Sequence, residues 1–123
     1  MSKEQLVNRM LSLESHVDAQ KIRTGRLNDE EWMNLVEGSA NIANSKLFID
    51  DTPGITLSAM RSKCRKLKME HDIQIVIIDY LQLMTSASGG RSGENRQQVV
   101  SEMSRMLKVM AKELNVPVIC LSQ

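Results

Sequence analysis

The apolar run Ile75–Ile78, followed directly by Asp79, constrains the fold of this chain more than any other stretch of its sequence. The run lies within the segment from Ile73 to Asp79, which is rich in β-branched apolar residues. Such segments are typical of strands that are buried on both faces of a parallel sheet. The sequence therefore predicts a buried strand from Ile73 to Asp79 with a carboxylate at its end.

The rest of the chain alternates between helical patterns and short apolar runs. Helices are predicted at Ser2–Ser15, Asn28–Asn44, Thr56 or Ser58 to Glu70, and Glu94 or Asn95 to Leu114, with a short helix or turn in His16–Leu27. Two more strands are predicted at Lys46–Asp50 and Val116–Leu121, and a small, polar, mobile loop at Thr85–Gly93. Because helices separate the strands, we expect right-handed crossovers, a parallel sheet and an α/β fold in one domain over residues 1–123.

Composition limits the classes of function. The net charge of +1 gives no global field that favours nucleic acid or a membrane surface. No apolar run approaches the roughly 20 residues that span a bilayer. Aromatic residues make up only 2% while Met occurs nine times, so adaptable Met packing fills the core, or lines a groove for partners. Cys64 and Cys120 have no metal-ligand spacing, which indicates a reduced, cytoplasmic protein.

Four polar residues follow predicted strands: Asp50, Asp51, Asp79 and Gln123. Ligands of open parallel sheets bind beyond the carboxyl ends of the strands, so these residues are the main candidates for a site. Asp79 fits the Walker B pattern, in which a carboxylate holds a water of Mg²⁺, a hard cation that prefers oxygen ligands. An Asp that merely caps the next turn explains the pattern as well. Gln123 could sense a terminal phosphate, although a structural amide is the simpler explanation.

Arg91 and Arg96 flank the end of the polar loop and the start of the following helix. A loop with such cations could follow a nucleic-acid backbone, but it has no aromatic residue for base stacking, and solvated arginines explain it more simply. His16 and His71 have no partner at ligand or nucleophile spacing, so we interpret them as structural. No G-x-x-x-x-G-K-[ST] loop occurs in the 123 residues, so the sequence offers no backbone cradle or lysine for phosphates.

Over essentially its whole length the chain resembles the C-terminal motor domain of the DnaB-type hexameric replicative DNA helicases of bacteria. The stretches that carry the resemblance are Met1–Leu6, Lys21–Gly25, Leu47–Pro53, Ile77–Met84, Glu94–Gln98 and Asn115–Ile119. Asp79-Tyr80-Leu81-Gln82-Leu83 together with Asn95-Arg96-Gln97-Gln98 is far more specific than a Walker B pattern.

The resemblance implies a RecA-like fold, ATP and Mg²⁺ as cofactors, and a homo-hexamer that moves along single-stranded DNA, with primase and a helicase loader as partners. It implies that Asp79 is the Walker B aspartate and that Gln123 detects the γ-phosphate. It also implies that Arg91 and Arg96 lie in or beside the loop that faces the central channel. The phosphate-binding loop and catalytic glutamate of the family precede the segment matching Met1, and its arginine finger follows the one matching Gln123.

Two hypotheses follow. Either the chain is the Walker B part of a helicase motor, inactive alone as an ATPase, or it is a non-catalytic module that binds single-stranded DNA or occupies a subunit interface. In the RecA-like arrangement further strands flank those found here. We therefore expect apolar strand edges that promote self-association.

Overall fold

The computed structural model describes residues 1–81, 84 and 93–122, with side chains left undescribed at 93–96. The chain divides into two compact units, Met1–Asp51 and Thr52–Gln123. The sequence predicted one domain over residues 1–123. The division into two compact units does not test this, so it stays a prediction.

The first unit is built from three helices, α1 (Lys3–Ser15), α2 (Ala19–Thr24) and α3 (Asp29–Asn44). The sequence predicted the starts of α1 and α3, because each follows a residue that caps the free amides of a first turn. Ser2 and Gln5 form a reciprocal capping box, and so do Asn28 and Glu31. Glu31 also accepts a hydrogen bond from Lys21 Nζ at 2.6 Å, which fastens α2 to α3.

Helices α1 and α3 pack closely where Gly38 meets the end of α1. A Cβ atom at Gly38 would lie 3.1 Å from the backbone nitrogen of Ser15. Ser15 is buried, and its hydroxyl donates to the carbonyl of Leu11 at 2.5 Å. The absent side chain at Gly38 is therefore what allows the two helices to approach.

The predicted strand at Lys46–Asp50 is wrong, because the structure places these residues in no strand and no helix. A strand is defined by pairing with a neighbour, and none of the described residues forms a sheet with this segment. Two residues of this segment, Leu47 and Ile49, instead line a cleft of about 440 Å³ along α1 together with Val7.

The second unit consists of α4 (Leu57–His71), β1 (Val76–Ile78), α5 (Gly93–Leu114) and β2 (Val118–Cys120). The Thr56 hydroxyl caps α4 by accepting from the Ala59 amide at 3.2 Å. Strands β1 and β2 form a parallel pair in which Ile77 lies opposite Ile119. Both strands are shorter than predicted, but the predicted parallel arrangement is present.

Methionine and leucine fill the core of the second unit, as the composition predicted. Met110 is 1% exposed and is the largest fully buried side chain of the described residues. The other buried members of this cluster are Met60, Cys64, Leu81, Met84, Met103, Leu107, Leu114 and Val116. Met103 and Met110 therefore serve packing.

The two faces of the small sheet differ in burial, which corrects the expectation that β1 is buried on both faces. Val76 and Ile78 pack against the core cluster, whereas Ile77 is 64% exposed. Alternate residues of a strand point to opposite faces, and among the described residues the core covers only one face. The apolar run thus predicted the position of the strand but not its exposure.

Candidate functional site

Asp79 lies at the carboxyl end of β1, immediately after Ile78, and its peptide bond to Tyr80 is cis. Backbone hydrogen bonds continue past the strand here: the Leu121 amide donates to the Ile78 carbonyl, and the Leu81 amide donates to the Leu121 carbonyl, both at 2.9 Å. Leu81 is also buried in the core. These two hydrogen bonds hold the backbone on both sides of Asp79 against the end of β2.

The Asp79 side chain is exposed. Within the described part of the chain, no hydrogen bond or ion pair is found for its carboxylate. A carboxylate on a fixed backbone and open to solvent can accept hydrogen bonds from the water shell of a cation or hold the cation directly. The predicted position of Asp79 at a strand end is correct, and its role remains a prediction.

No group of three or more His, Cys, Asp or Glu side chains that could hold a metal ion occurs among the described residues. Mg²⁺ keeps several waters and is usually held by one or two carboxylates together with substrate phosphates. A single exposed carboxylate such as Asp79 fits that mode of binding, and it does not fit the protein cage that Ca²⁺ or structural Zn²⁺ requires.

The Cys120 thiol at the end of β2 is not suited to nucleophilic chemistry. Burial raises the pKa of this thiol above its ordinary value, so it stays neutral at physiological pH. Cys120 also packs against the core cluster, and both it and Cys64 are free cysteines. Cys120 is therefore not a candidate nucleophile.

The structure describes no side chain for three of the predicted site residues, Arg91, Arg96 and Gln123. Gln123 and Arg91 lie outside the described residues, and Arg96 lies in α5, where its side chain is not described. The roles predicted for these three residues stay predictions.

Asp51 has a structural contact that the sequence did not reveal. Its Oδ2 atom accepts a hydrogen bond from the Lys3 amide at 2.9 Å. The Lys3 amide is one of the unpaired donors in the first turn of α1, so Asp51 adds a second cap to a helix that already has a capping box. No local pattern could indicate this bond, because 48 residues separate the two partners.

Comparison with known proteins shows which family this chain belongs to. The family model described as DnaB-like helicase C terminal domain matches residues 1–123. The chain belongs to this family. The resemblance inferred from the sequence is therefore confirmed.

Two curated relatives are similar over all 123 residues. The replicative DNA helicase DnaC of Bacillus subtilis is 53% identical, and the replicative DNA helicase DnaB of Geobacillus stearothermophilus is 52% identical. The chain spans 27% of the length of each. It therefore corresponds to about a quarter of these relatives.

Solved structures confirm the fold class as RecA-like α/β, of which this chain carries a part. One solved ATPase domain matches the whole chain with a TM-score of 0.88 and 37% identity, and the match covers 44% of that domain. A DnaB-like replicative helicase described with its interactions with primase matches with a TM-score of 0.87 and 37% identity, the chain covering 30% of it. The family is thus one of nucleotide-using motors.

Among the described residues, no helix is both long enough and apolar enough to cross a membrane.

Proposed function

We propose that this chain is the Walker B part of an ATP-dependent replicative DNA helicase motor. Family membership over residues 1–123 carries the proposal. Asp79 supports it, because the carboxylate lies at a strand end, on a fixed backbone and open to solvent. The reaction is phosphoryl transfer to water, which enzymes of this kind accelerate by positioning and electrostatic stabilisation.

In this proposal Asp79 accepts hydrogen bonds from water bound to Mg²⁺. The metal, when bound with ATP, supplies positive charge beside the phosphates. The chain's own contribution is rigidity, because the bonds of Ile78 and Leu81 to Leu121 fix the backbone on both sides of the carboxylate. A fixed carboxylate loses little freedom when it binds its ligand.

The other proposed roles come from the family. Gln123 detects the γ-phosphate, while Arg91 and Arg96 contact single-stranded DNA. We extend to this chain a ring of six subunits in the cytoplasm, with primase and a helicase loader as partners. One matched helicase structure is described with its interactions with primase, and this supports the primase assignment.

A chimera tests the proposal without relying on the isolated chain. The 123 aligned residues of the Bacillus subtilis helicase are replaced by this chain, and ATP hydrolysis is measured with and without Mg²⁺. We expect the chimera to hydrolyse ATP, and we expect Asp79→Asn to reduce kcat at least about 100-fold, because the variant loses the charge at the metal.

The matched control is Glu102→Gln, which neutralises an exposed carboxylate on α5. This variant should keep the activity of the chimera. An Asp79→Asn chimera as active as the control would contradict the role of Asp79. In the same chimera, Arg91→Ala with Arg96→Ala should weaken binding of fluorescent single-stranded DNA, and unchanged affinity would remove both arginines from the proposal.

The isolated chain should show no Mg²⁺-dependent ATP hydrolysis, because its 123 residues contain no phosphate-cradling loop. Turnover in the purified chain that Asp79→Asn abolishes would show that another segment holds the phosphates. The alternative, a non-catalytic module, predicts an inactive chimera with normal DNA binding or assembly.

A further inference from the structure

The hydrogen-bond ladder between β1 and β2 gains one residue just beyond the end of β1. Within the two strands the register is even, and the Leu121 amide donates to the Ile78 carbonyl at 2.9 Å as that register requires. In a regular parallel ladder the next bond would run from the Tyr80 amide to the Leu121 carbonyl. The Leu81 amide makes that bond instead, at 2.9 Å. The chain therefore carries a one-residue β-bulge at Asp79 and Tyr80.

The bulge decides which face of the sheet Leu81 occupies. Alternate residues of a strand point to opposite faces, so in an unbroken strand Leu81 would share the face of Ile77, which is 64% exposed. Leu81 is instead 5% exposed and belongs to the core cluster. Tyr80 is half-buried, and Asp79 is exposed. The extra residue thus places Leu81 in the core and leaves Asp79 and Tyr80 outside the regular ladder.

Leu81 is held by its backbone as well as by its side chain. Its amide donates to Leu121, and its carbonyl accepts a hydrogen bond from the Met84 amide at 3.1 Å. Met84 is itself 5% exposed in the same core cluster. Only Tyr80 separates Leu81 from Asp79. The position of the Asp79 carboxylate therefore depends on an apolar side chain two residues further along the chain.

We propose that Leu81 is a positioning residue for Asp79: burial of Leu81 in the core maintains the bulge and so sets where the carboxylate stands. This role rests on the proposed function of Asp79 at Mg²⁺, and Leu81 itself touches neither the metal nor the nucleotide. Bulges beside functional sites re-aim a side chain. A displacement of about 1 Å can cost about 100-fold in rate, so a loosened Leu81 should change kcat.

Truncation of Leu81 in the chimera with the Bacillus subtilis helicase tests this role. We expect Leu81→Ala to lower kcat roughly tenfold and to raise the Mg²⁺ concentration that gives half the maximal rate. Binding of a fluorescent ADP, measured with and without Mg²⁺, should show a smaller Mg²⁺-dependent gain in affinity. The matched control is Leu114→Ala, because Leu114 is 6% exposed in the same core cluster and lies at the end of α5. It should lower Tm similarly and keep kcat and the Mg²⁺ dependence.

A double-mutant cycle shows whether Leu81 acts through Asp79. Once Asp79→Asn has removed the charge, the position of that side chain no longer matters, so adding Leu81→Ala should lower kcat no further. Independent effects would multiply instead. Leu81→Met keeps the apolar character and nearly the volume of the side chain, so it should retain most of the kcat of the chimera.

The possible outcomes separate this role of Leu81 from the proposed function. If Leu81→Ala behaves like Leu114→Ala, or if its effect multiplies with that of Asp79→Asn, the positioning role is overturned and the function of Asp79 stands. If Asp79→Asn leaves kcat unchanged, the function proposed for Asp79 fails, and the role of Leu81 fails with it. If circular dichroism shows that Leu81→Ala does not fold, Leu81→Val and Leu114→Val replace the two alanine variants and decide by the same comparisons.

Discussion

Replacing Gly38 by Ala tests whether close packing of α1 against α3 holds the first unit together. The added Cβ would lie 3.1 Å from the backbone nitrogen, 3.2 Å from the Cβ and 3.3 Å from the Cα of Ser15. These atoms belong mainly to the backbone of α1, so relief requires a shift of the helix. Ser15 is also buried and bonded to Leu11, which limits local movement.

Two effects of opposite sign determine how Gly38→Ala changes the free energy of unfolding. Overpacking of a tight contact costs about 1–3 kcal/mol. Alanine in a helix interior is favoured over glycine by about 1 kcal/mol. Taking the middle of the first range, we expect Gly38→Ala to lower the free energy of unfolding by about 1 kcal/mol, which corresponds to a decrease in Tm of roughly 4 °C.

The assay is urea unfolding followed by tryptophan fluorescence. Trp32 is the single tryptophan of the chain and lies on α3, so its emission reports the first unit. Asn34→Ala, at an exposed position of the same helix, is the control for helix propensity and should raise stability slightly. If Gly38→Ala is stabilised as much as or more than this control, the contact with Ser15 does not restrain the helices and the reasoning is refuted.

Two further predictions concern the second unit. Met110→Ala should lower the free energy of unfolding by about 2–5 kcal/mol, because the side chain is fully buried. Met110→Leu should lower it by less than about 1.5 kcal/mol. Urea unfolding followed by circular dichroism measures both, and equal stability of the two variants would contradict this packing. Hydrogen bonds from Arg61 and then Arg65 lower the pKa of Glu113 below its ordinary value of 4.5. The stability that this shift contributes is present above pH 4.5 and is lost as the pH falls through the lowered pKa. The unchanged chain should therefore be more stable than Glu113→Gln at about pH 7, and this difference should disappear at about pH 2. A difference independent of pH would exclude these ion pairs as its cause.

Local sequence determined most of the helices and the position of the site carboxylate. Ser2, Asn28 and Thr56 cap helices because their side chains satisfy free amides within three residues along the chain. The β-branched run around Ile77 predicted a strand, and Asp79 follows it as expected. These features depend on neighbours in the sequence, so they could be predicted from it.

Contacts between distant residues could not be predicted in this way. Nothing near Asp51 indicates that it caps α1, and nothing near Gly38 indicates that Ser15 lies against it. Burial and pairing also depend on what lies alongside: Ile77 is exposed because the core covers the other face, and Lys46–Asp50 is not a strand because no described residue forms a sheet with it. The sequence by itself determined which residues favour helix or strand and which carboxylate ends the strand. Only the tertiary structure decided which apolar residues are buried, because burial and hydrogen-bond pairing are properties of segments brought together in space.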